Sequence, residues 1–486
     1  MIKVIDVFAG PGGLNEGFSG VRDDDGSKTF EISASFEMET RAVETLRLRA
    51  AARAVGLSDD RTYLEFLNGH LTYEQLTRQP AFADALRQAS EHVHQIELGE
   101  STRSLSDRTI EDAGIERGGE WVLIGGPPCQ AYSLAGRSRR VHDPLFEDDH
   151  KHFLFREYLH IIDKYRPVVF VMENVKGLLS ASHGGQSMFS RVLKDLSCGG
   201  EYEIRSFVAE GEGEALRPAD FVIASERYGV PQRRHRVILL GVRRDAALGA
   251  HTLLSQKPLV TMGEALKGLP PVRSRVSPLR ADSPGSWLDA RRRGWGHAAK
   301  YAGVDIPDDR SLPRDASPHM PYVPRSKDER PTDLQEWLES GDVAGVWHHE
   351  PRSHMSSDLV RYAFLAAVAE TGDRPNLDRL PAALLPNHKN ATRKDAPFID
   401  RFKVQLEGEP SSTVVSHIAK DGHHYIHPDP VQMRSLTVRE AARLQSFPDD
   451  YFFVGNRTAQ FHQVGNAVPP RLARQLGDIV RDLLKG

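Results

Sequence analysis

Cysteine is scarce in this chain, with only Cys129 and Cys198 among 486 residues. That excludes a disulfide framework and a four-thiolate zinc site, fits a reducing cytoplasmic compartment, and means that each thiol must be read singly. Long apolar runs are missing too. None approaches the roughly 18 residues of a membrane span, and Met1 leads within two residues into what reads as a core strand, so a cytoplasmic protein with no membrane partner is expected. Net charge is small: 63 Lys plus Arg against 67 Asp plus Glu give −4, a balance that does not advertise a nucleic-acid binder. At roughly 100–200 residues per domain the length allows two or three domains with a sizeable core.

What is present is an alternation of short apolar runs and helical segments. Lys3–Val7 is β-branched and breaks into Phe8-Ala9-Gly10-Pro11-Gly12-Gly13, after which Leu14 can start a helix. Ile32–Phe36 reads as a second strand ending in Glu37, Trp121–Ile124 as a third entering Gly125-Gly126-Pro127-Pro128-Cys129-Gln130, and Val168–Met172 as a fourth ending in Glu173-Asn174-Val175. Strands buried on both faces and alternating with helices indicate an α/β fold with a mostly parallel sheet, in which ligands sit at the carboxyl ends of the strands. The stretch 58–118 reads as a polar, mostly helical insertion. From residue 245 to 430 the periodicity fades, and this stretch holds 19 of the 30 prolines and 11 of the 21 histidines, which marks a second, irregular domain. Within it, residues 271–300 carry Arg273, Arg275, Arg280, Arg291, Arg292, Arg293 and Lys300 against two acidic residues, a local basic patch inside a balanced chain. Thr437 with Glu440 three residues on is a capping box that reopens regular structure, and a closing helix runs to Leu484.

Several of these residues carry chemistry. The glycine-rich first turn lets backbone approach a ligand closely, and Glu37 stands where an acidic side chain holds the ribose hydroxyls of an adenosine-containing cofactor; together they leave a nicotinamide cofactor and S-adenosylmethionine both open. Cys129, held between two prolines and Gln130 at a strand's carboxyl end, suits a thiolate nucleophile, whereas Cys198, beside Gly199 and Gly200, reads as a small buried hydrophobe. Glu173 ends an apolar strand, where a carboxyl can donate or share a proton. Arg234 and Arg236, in Gln232-Arg233-Arg234-His235-Arg236, alternate onto one face at the sheet's rim and suit a phosphate and a base oxygen. The histidines His417, His423, His424 and His427, and His348, His349 and His354, come without HExxH or paired CxxC, so no metal is expected.

Taken in order, FAGPGG, GGPPCQ, ENV, QRRHR and QVGNAVPP resemble the motif set of the bacterial DNA (cytosine-5) methyltransferases, covering residues 1–242 and roughly 431–486. The resemblance implies a SAM-dependent, Rossmann-like catalytic domain over 1–242. It implies a target recognition domain over 243–430, and a segment 431–486 whose ninth-motif-like helix and last motif return to the catalytic domain. It implies double-stranded DNA as partner, S-adenosylmethionine as cofactor and a covalent bond from Cys129 to C6 of a flipped cytosine. Glu173 would act at N3, Arg236 at O2 and Arg234 near phosphate. Phe8, Gly10, Gly12, Gly13, Leu14, Glu37, Met38, Pro127, Asn466 and Ala467 would line the cofactor site. Gln130, Ser133 and Thr413, with Arg273, Arg275, Arg291, Arg292 and Arg293 of the basic patch, would meet DNA. Two departures stand out: the acidic residue usual after the third strand is unassigned, with Asp107 and Asp112 as candidates, and Met38 replaces an aromatic over the adenine. By family analogy the setting is host DNA marking in restriction-modification or related phage defence, by a monomer whose nuclease is a separate polypeptide. A tRNA methyltransferase of the same superfamily, a DNA-binding protein with a dead catalytic domain and a nicotinamide-dependent oxidoreductase are the alternatives.

Overall fold

In a computed structural model the described residues are 1–56, 61–128, 154–183, 186–304, 306, 312–326, 330–339, 342–375, 377–387 and 401–485. They fall into two compact units, Met1–Asp60 with Thr77–Leu259 and Asn466–Gly486, and Arg61–Leu76 with Val260–Gly465.

The first unit is an eight-stranded sheet: β1 (Ile2–Val7), β2 (Phe30–Glu37), β3 (Val93–Gln95), β4 (Trp121–Gly125), β5 (Val169–Val175), β6 (Tyr202–Ser206), β7 (Val222–Ala224) and β8 (His235–Arg243). The order is β3-β2-β1-β4-β5-β8-β6, with β7 also paired to β8. β1 to β5 run parallel, while β8 is antiparallel to β5, β6 and β7. The chain belongs to the α/β class with a mostly parallel sheet, as its strand pattern predicts. Alternation splits β1 between two cores. Ile5 and Val7 face the core shared with the helices Leu154–Tyr165 and Met188–Leu196, and Val4 faces the one shared with Gly13–Gly20 and Pro470–Leu484. Helices thus cover both faces, which is why β4 and β5 are apolar at nearly every position. The chain's last helix, with Leu472, Leu476, Val480 and Leu483 buried, packs against its first. Gly13 permits this: a Cβ there would lie 2.1 Å from the carbonyl oxygen of Val468.

The stretch 58–118 is more than an insertion. Arg61–Leu76 belongs to the second unit, and the remainder carries β3 into the sheet beside β2. At three residues this strand is too short to leave an alternation in the sequence. The first unit continues past residue 242 to Leu259, and the C-terminal segment 431–486 is divided at Asn466.

The second unit has its core between the helices Pro284–Ala302 and Ser356–Ala369. The latter is buried continuously from Asp358 to Val368, and its apolar composition on all sides suits a core helix. The strands of this unit are pairs of two or three residues, such as Val276–Ser277 with His354–Met355 and His319–Pro321 with Gly345–Trp347. Strands that short explain the lost periodicity. Among the described residues no helix is long and apolar enough to cross a membrane.

Candidate active site

The strand order reverses between β1 and β4, and in such sheets the crevice at that switch point, beyond the carboxyl ends, is where ligands bind. The glycine-rich turn after β1 and the Gly-Gly-Pro-Pro loop after β4 both open into it. In the first turn Phe8, Gly10 and Gly12 have φ of 55°, 56° and 93°, a left-handed path that glycine adopts without strain at the latter two positions. The turn is tied to the end of β2, because the Gly10 N–H donates to Glu37 Oε2 at 2.8 Å while Glu37 Oε1 accepts from Met38 N at 2.9 Å and Glu39 N at 2.8 Å. Burial raises the Glu37 carboxyl above its usual range, against the lowering effect of these three donors. A carboxylate has about four acceptor positions, so capacity remains for hydroxyl donors. Met38 beside it is 55% exposed, an uncovered apolar side chain at the same edge. Leu14 is buried in the core behind the turn, and Ala467 is buried one residue beyond Asn466.

The reacting end is built by β5 and β8. Because β8 runs antiparallel, its amino end lies at the edge where the parallel strands have their carboxyl ends, and Arg236 is in register with Val175. Arg236 Nε forms an ion pair with Glu173 Oε1 at 2.9 Å, both side chains being 14% exposed. Gly126 makes room for that carboxylate, since a Cβ there would lie 2.8 Å from Glu173 Oε2. Asn174 Nδ2 donates to the Pro127 carbonyl at 3.2 Å and its Oδ1 accepts from Val175 N at 2.8 Å, so the strand that presents Glu173 also fixes the loop leading to Cys129. Cys129, Gln130 and Ser133 lie outside the described residues.

Arg234 precedes β8. Its backbone is tied to Ser225 in both directions, at 3.1 and 3.2 Å, and its side chain is buried. Cys198 is a free thiol pushed up to about 11, chiefly by burial and then by Asp163, Glu201 and Asp195, a poor nucleophile near neutral pH.

In the second unit, Arg273 and Arg291 correct the basic-patch reading. Arg273 is 5% exposed and pairs with Asp282 at 2.7 Å and Asp315 at 2.7 Å. Arg291 is 3% exposed and stacks between Trp287 and Trp295, its guanidinium carbon 5.6 and 4.7 Å from the ring centroids. Both occur in a run that looks uniformly solvated because charge counting ignores which side chains turn inward, from the strand Val272–Arg273 in one case and the helix Pro284–Ala302 in the other. Arg275 and Arg292 are exposed, as is Arg293, which pairs with Asp289 at 3.1 Å. Thr413 is partly exposed in the segment after Ser411–Ser412. His349 is a satisfied core residue, its ring nitrogens 3.0 Å from Thr437 Oγ1 and 2.8 Å from the Pro270 carbonyl, and burial lowers it to about 4. Among the described residues no three His, Cys, Asp or Glu side chains are grouped as metal ligands.

Asp107, a candidate for the unassigned acid, is instead engaged by His160 at 2.9 Å and Lys164 at 3.0 Å. An acidic residue that sequence reasoning did not consider, Glu97, is exposed two positions beyond the end of β3. Only the pairing of β3 with β2 locates it.

The family model of the C-5 cytosine-specific DNA methylases matches residues 101–269 and 369–481. A type II methyltransferase of Bacillus paralicheniformis, M.Bpa9945I, is 32% identical over 99% of both chains. The chain belongs to the C-5 cytosine-specific DNA methylase family. M.AgeI of Thalassovita gelatinovora is 26% identical, again over 99% of both chains. A structure described as a DNA modification methyltransferase encoded within a prophage (E. coli) shares the fold, with a TM-score of 0.57 at 18% identity over the whole of each chain. The enzyme is therefore a DNA (cytosine-5) methyltransferase, and membership implies S-adenosylmethionine as methyl donor. The residues present fit that molecule: a left-handed glycine turn for close backbone approach, a carboxylate with acceptor capacity left, and an exposed apolar side chain next to it.

Proposed function

We propose that the enzyme methylates a cytosine flipped out of a specific site in double-stranded DNA through a covalent bond from Cys129 to C6, as the self-marking half of a restriction-modification or related phage-defence system. The observation that carries this reading is the Glu173–Arg236 ion pair beside the loop that leads into Cys129. Cytosine C5 is a weak nucleophile, and thiolate addition at C6 turns the ring into an enamine-like species. Glu173 holds or delivers a proton at N3 as charge builds on the ring, and Arg236 faces O2 while keeping the carboxylate in place. S-adenosylmethionine supplies the methyl group that C5 then takes. Loss of the C5 proton to a base expels the thiolate and restores the ring. C6 is hidden within a stacked duplex, so the target base must leave the helix.

In the cofactor site Phe8 packs on the adenine, Gly10, Gly12 and Gly13 bring the backbone close, and Glu37 accepts from the ribose. Met38 and Pro127 flank the base, Asn466 with Ala467 approaches the methionine end, and Glu97 takes the place of the acid after the third strand. The second unit acts as target recognition domain, with Arg275, Arg292, Arg293 and Thr413 toward DNA. Arg234 supports the phosphate side of the site, and Gln130 and Ser133 contact the target DNA. The test is incubation with the cofactor and mixed-sequence duplex, followed by bisulfite sequencing, together with trapping on duplex containing 5-fluorocytosine. The expected outcome is methylcytosine at one sequence and a covalent adduct, both lost in Cys129→Ser. Full activity in that variant overturns the mechanism.

A further inference from the structure

The second unit contains two neighbouring arginines that the reading above does not use. Arg352 is partly buried: its Nη2 donates to the Ile418 carbonyl at 2.7 Å, its guanidinium carbon lies 5.0 Å from the Phe461 ring centroid, and its Nε is buried without a hydrogen-bond partner. Arg457, four residues before Phe461 on the helix Arg457–Asn466, donates through Nη1 to the Pro351 carbonyl at 3.3 Å and is exposed. Among the described residues neither has a carboxylate within ion-pair distance, although most arginines of this unit, such as Arg273, Arg361, Arg434 and Arg443, do. The nearest acids are otherwise placed. Asp421 pairs with Arg401 at 3.3 Å, and Glu350 is exposed and acts on Arg457 only at longer range. Burial, and then the charge of Arg457, lowers Arg352 below the ordinary arginine value. Two like charges held together with an unused buried donor are costly unless an anion joins them.

The surroundings indicate which anion. Gly465, at the other end of the Arg457 helix, has no room for a side chain, since a Cβ would lie 2.2 Å from Ser416 N, so this helix lies directly on the segment after Thr413. That segment exposes Val415, His417 and Lys420, and Arg352 Nη1 would lie 3.5 Å from a Cβ on Gly422. Lys420 thus adds a third exposed cation to the segment beside the two arginines, with Val415 as its exposed apolar member.

We propose that Arg352 and Arg457 clamp one phosphate of the DNA backbone beside the Thr413–Ser416 segment, a positioning contact that carries no sequence information. It rests on the DNA-methylation reading. Arg457→Gln, at an exposed position, is the primary variant, and Arg457→Lys restores the charge. Binding to cognate and non-cognate duplex is measured across salt concentrations, with cofactor binding as the check on folding. Arg457→Gln is expected to weaken both duplexes alike, by about tenfold at ~0.1 M salt, and to reduce the slope of log affinity against log salt by about 1. Arg457→Lys should recover most of that slope. A wild-type enzyme that methylates DNA while Arg457→Gln binds with unaltered slope overturns the clamp alone. A loss confined to the cognate duplex also overturns it, because that is the signature of a base contact. A wild-type protein that neither binds nor methylates duplex DNA overturns both readings.

Discussion

Single residues in this enzyme are decided by environment more than by type. The two cysteines share a chemistry but not a setting: Cys198 is held as a thiol by burial and three nearby acids, whereas Cys129 follows a loop fixed by Asn174. Asp6, buried in β1 below the glycine turn, is raised from 3.8 to about 8 by burial, with Asn15 opposing. The folded state therefore keeps this proton up to about pH 8, while the unfolded chain releases it near 3.8. Folding takes up a proton between those limits, so stability falls as pH rises through that window. Asp6→Asn removes the titration, and its urea midpoint should decline less than that of the wild type between pH 6 and 8.5. Equal declines in the two proteins would show that Asp6 is ionised when folded. Sequence reasoning picked out Glu37 and Glu173 because strand ends concentrate function in parallel sheets, and Arg236 from its alternation with Arg234 ahead of a strand. It misjudged Arg273 and Arg291 because a run of arginines says nothing about which of them turn inward.

Among the elements, the helix Val438–Leu444 shows how much a short segment can depend on charge. Thr437 and Glu440 cap each other, and Glu440 is also clamped by Arg434 at 2.6 and 2.7 Å, with both side chains buried. Arg439 donates to the carbonyls of Trp347, Pro448 and Tyr451, and Arg443 pairs with Asp449. Removing one member of such a pair leaves an uncompensated charge in the interior, at a cost of about 3–5 kcal/mol. Glu440→Gln is accordingly expected to lower the unfolding midpoint well beyond the effect of an exposed Glu→Gln change such as Glu74→Gln, as read by chemical denaturation. The capping box itself was legible from Thr437 and Glu440, because it is a local device. The partner Arg434 was not, because its role depends on the turn that folds it back. β3 was illegible for the opposite reason: three residues carry too little alternation, and only pairing with β2 makes them a strand.

For the whole molecule, the first unit takes its chain from both ends of the sequence, with the closing helix Pro470–Leu484 filling the same core as β1 and Gly13–Gly20. A chain ending at Gly465 is expected to bind no cofactor and to lose the cooperative unfolding of this unit, as measured by titration and scanning calorimetry; retained binding would mean that the glycine turn is held without its C-terminal support. Net charge of −4 was uninformative, because an average over the chain hides where cations gather, as at Arg352 and Arg457, neither of which has a carboxylate within ion-pair distance among the described residues. The sequence by itself determined the α/β class, the parallel strands and the order of the catalytic motifs. Each of these depends on local pattern: runs of β-branched residues buried on both faces, glycine and proline at the turns, and functional side chains at strand ends. Only the tertiary structure decided that antiparallel β8 sets Arg236 against Glu173, that β3 brings Glu97 to the same edge, and that some arginines of the basic run are core. Those outcomes depend on pairing and packing between residues far apart in the chain, which no local spacing encodes.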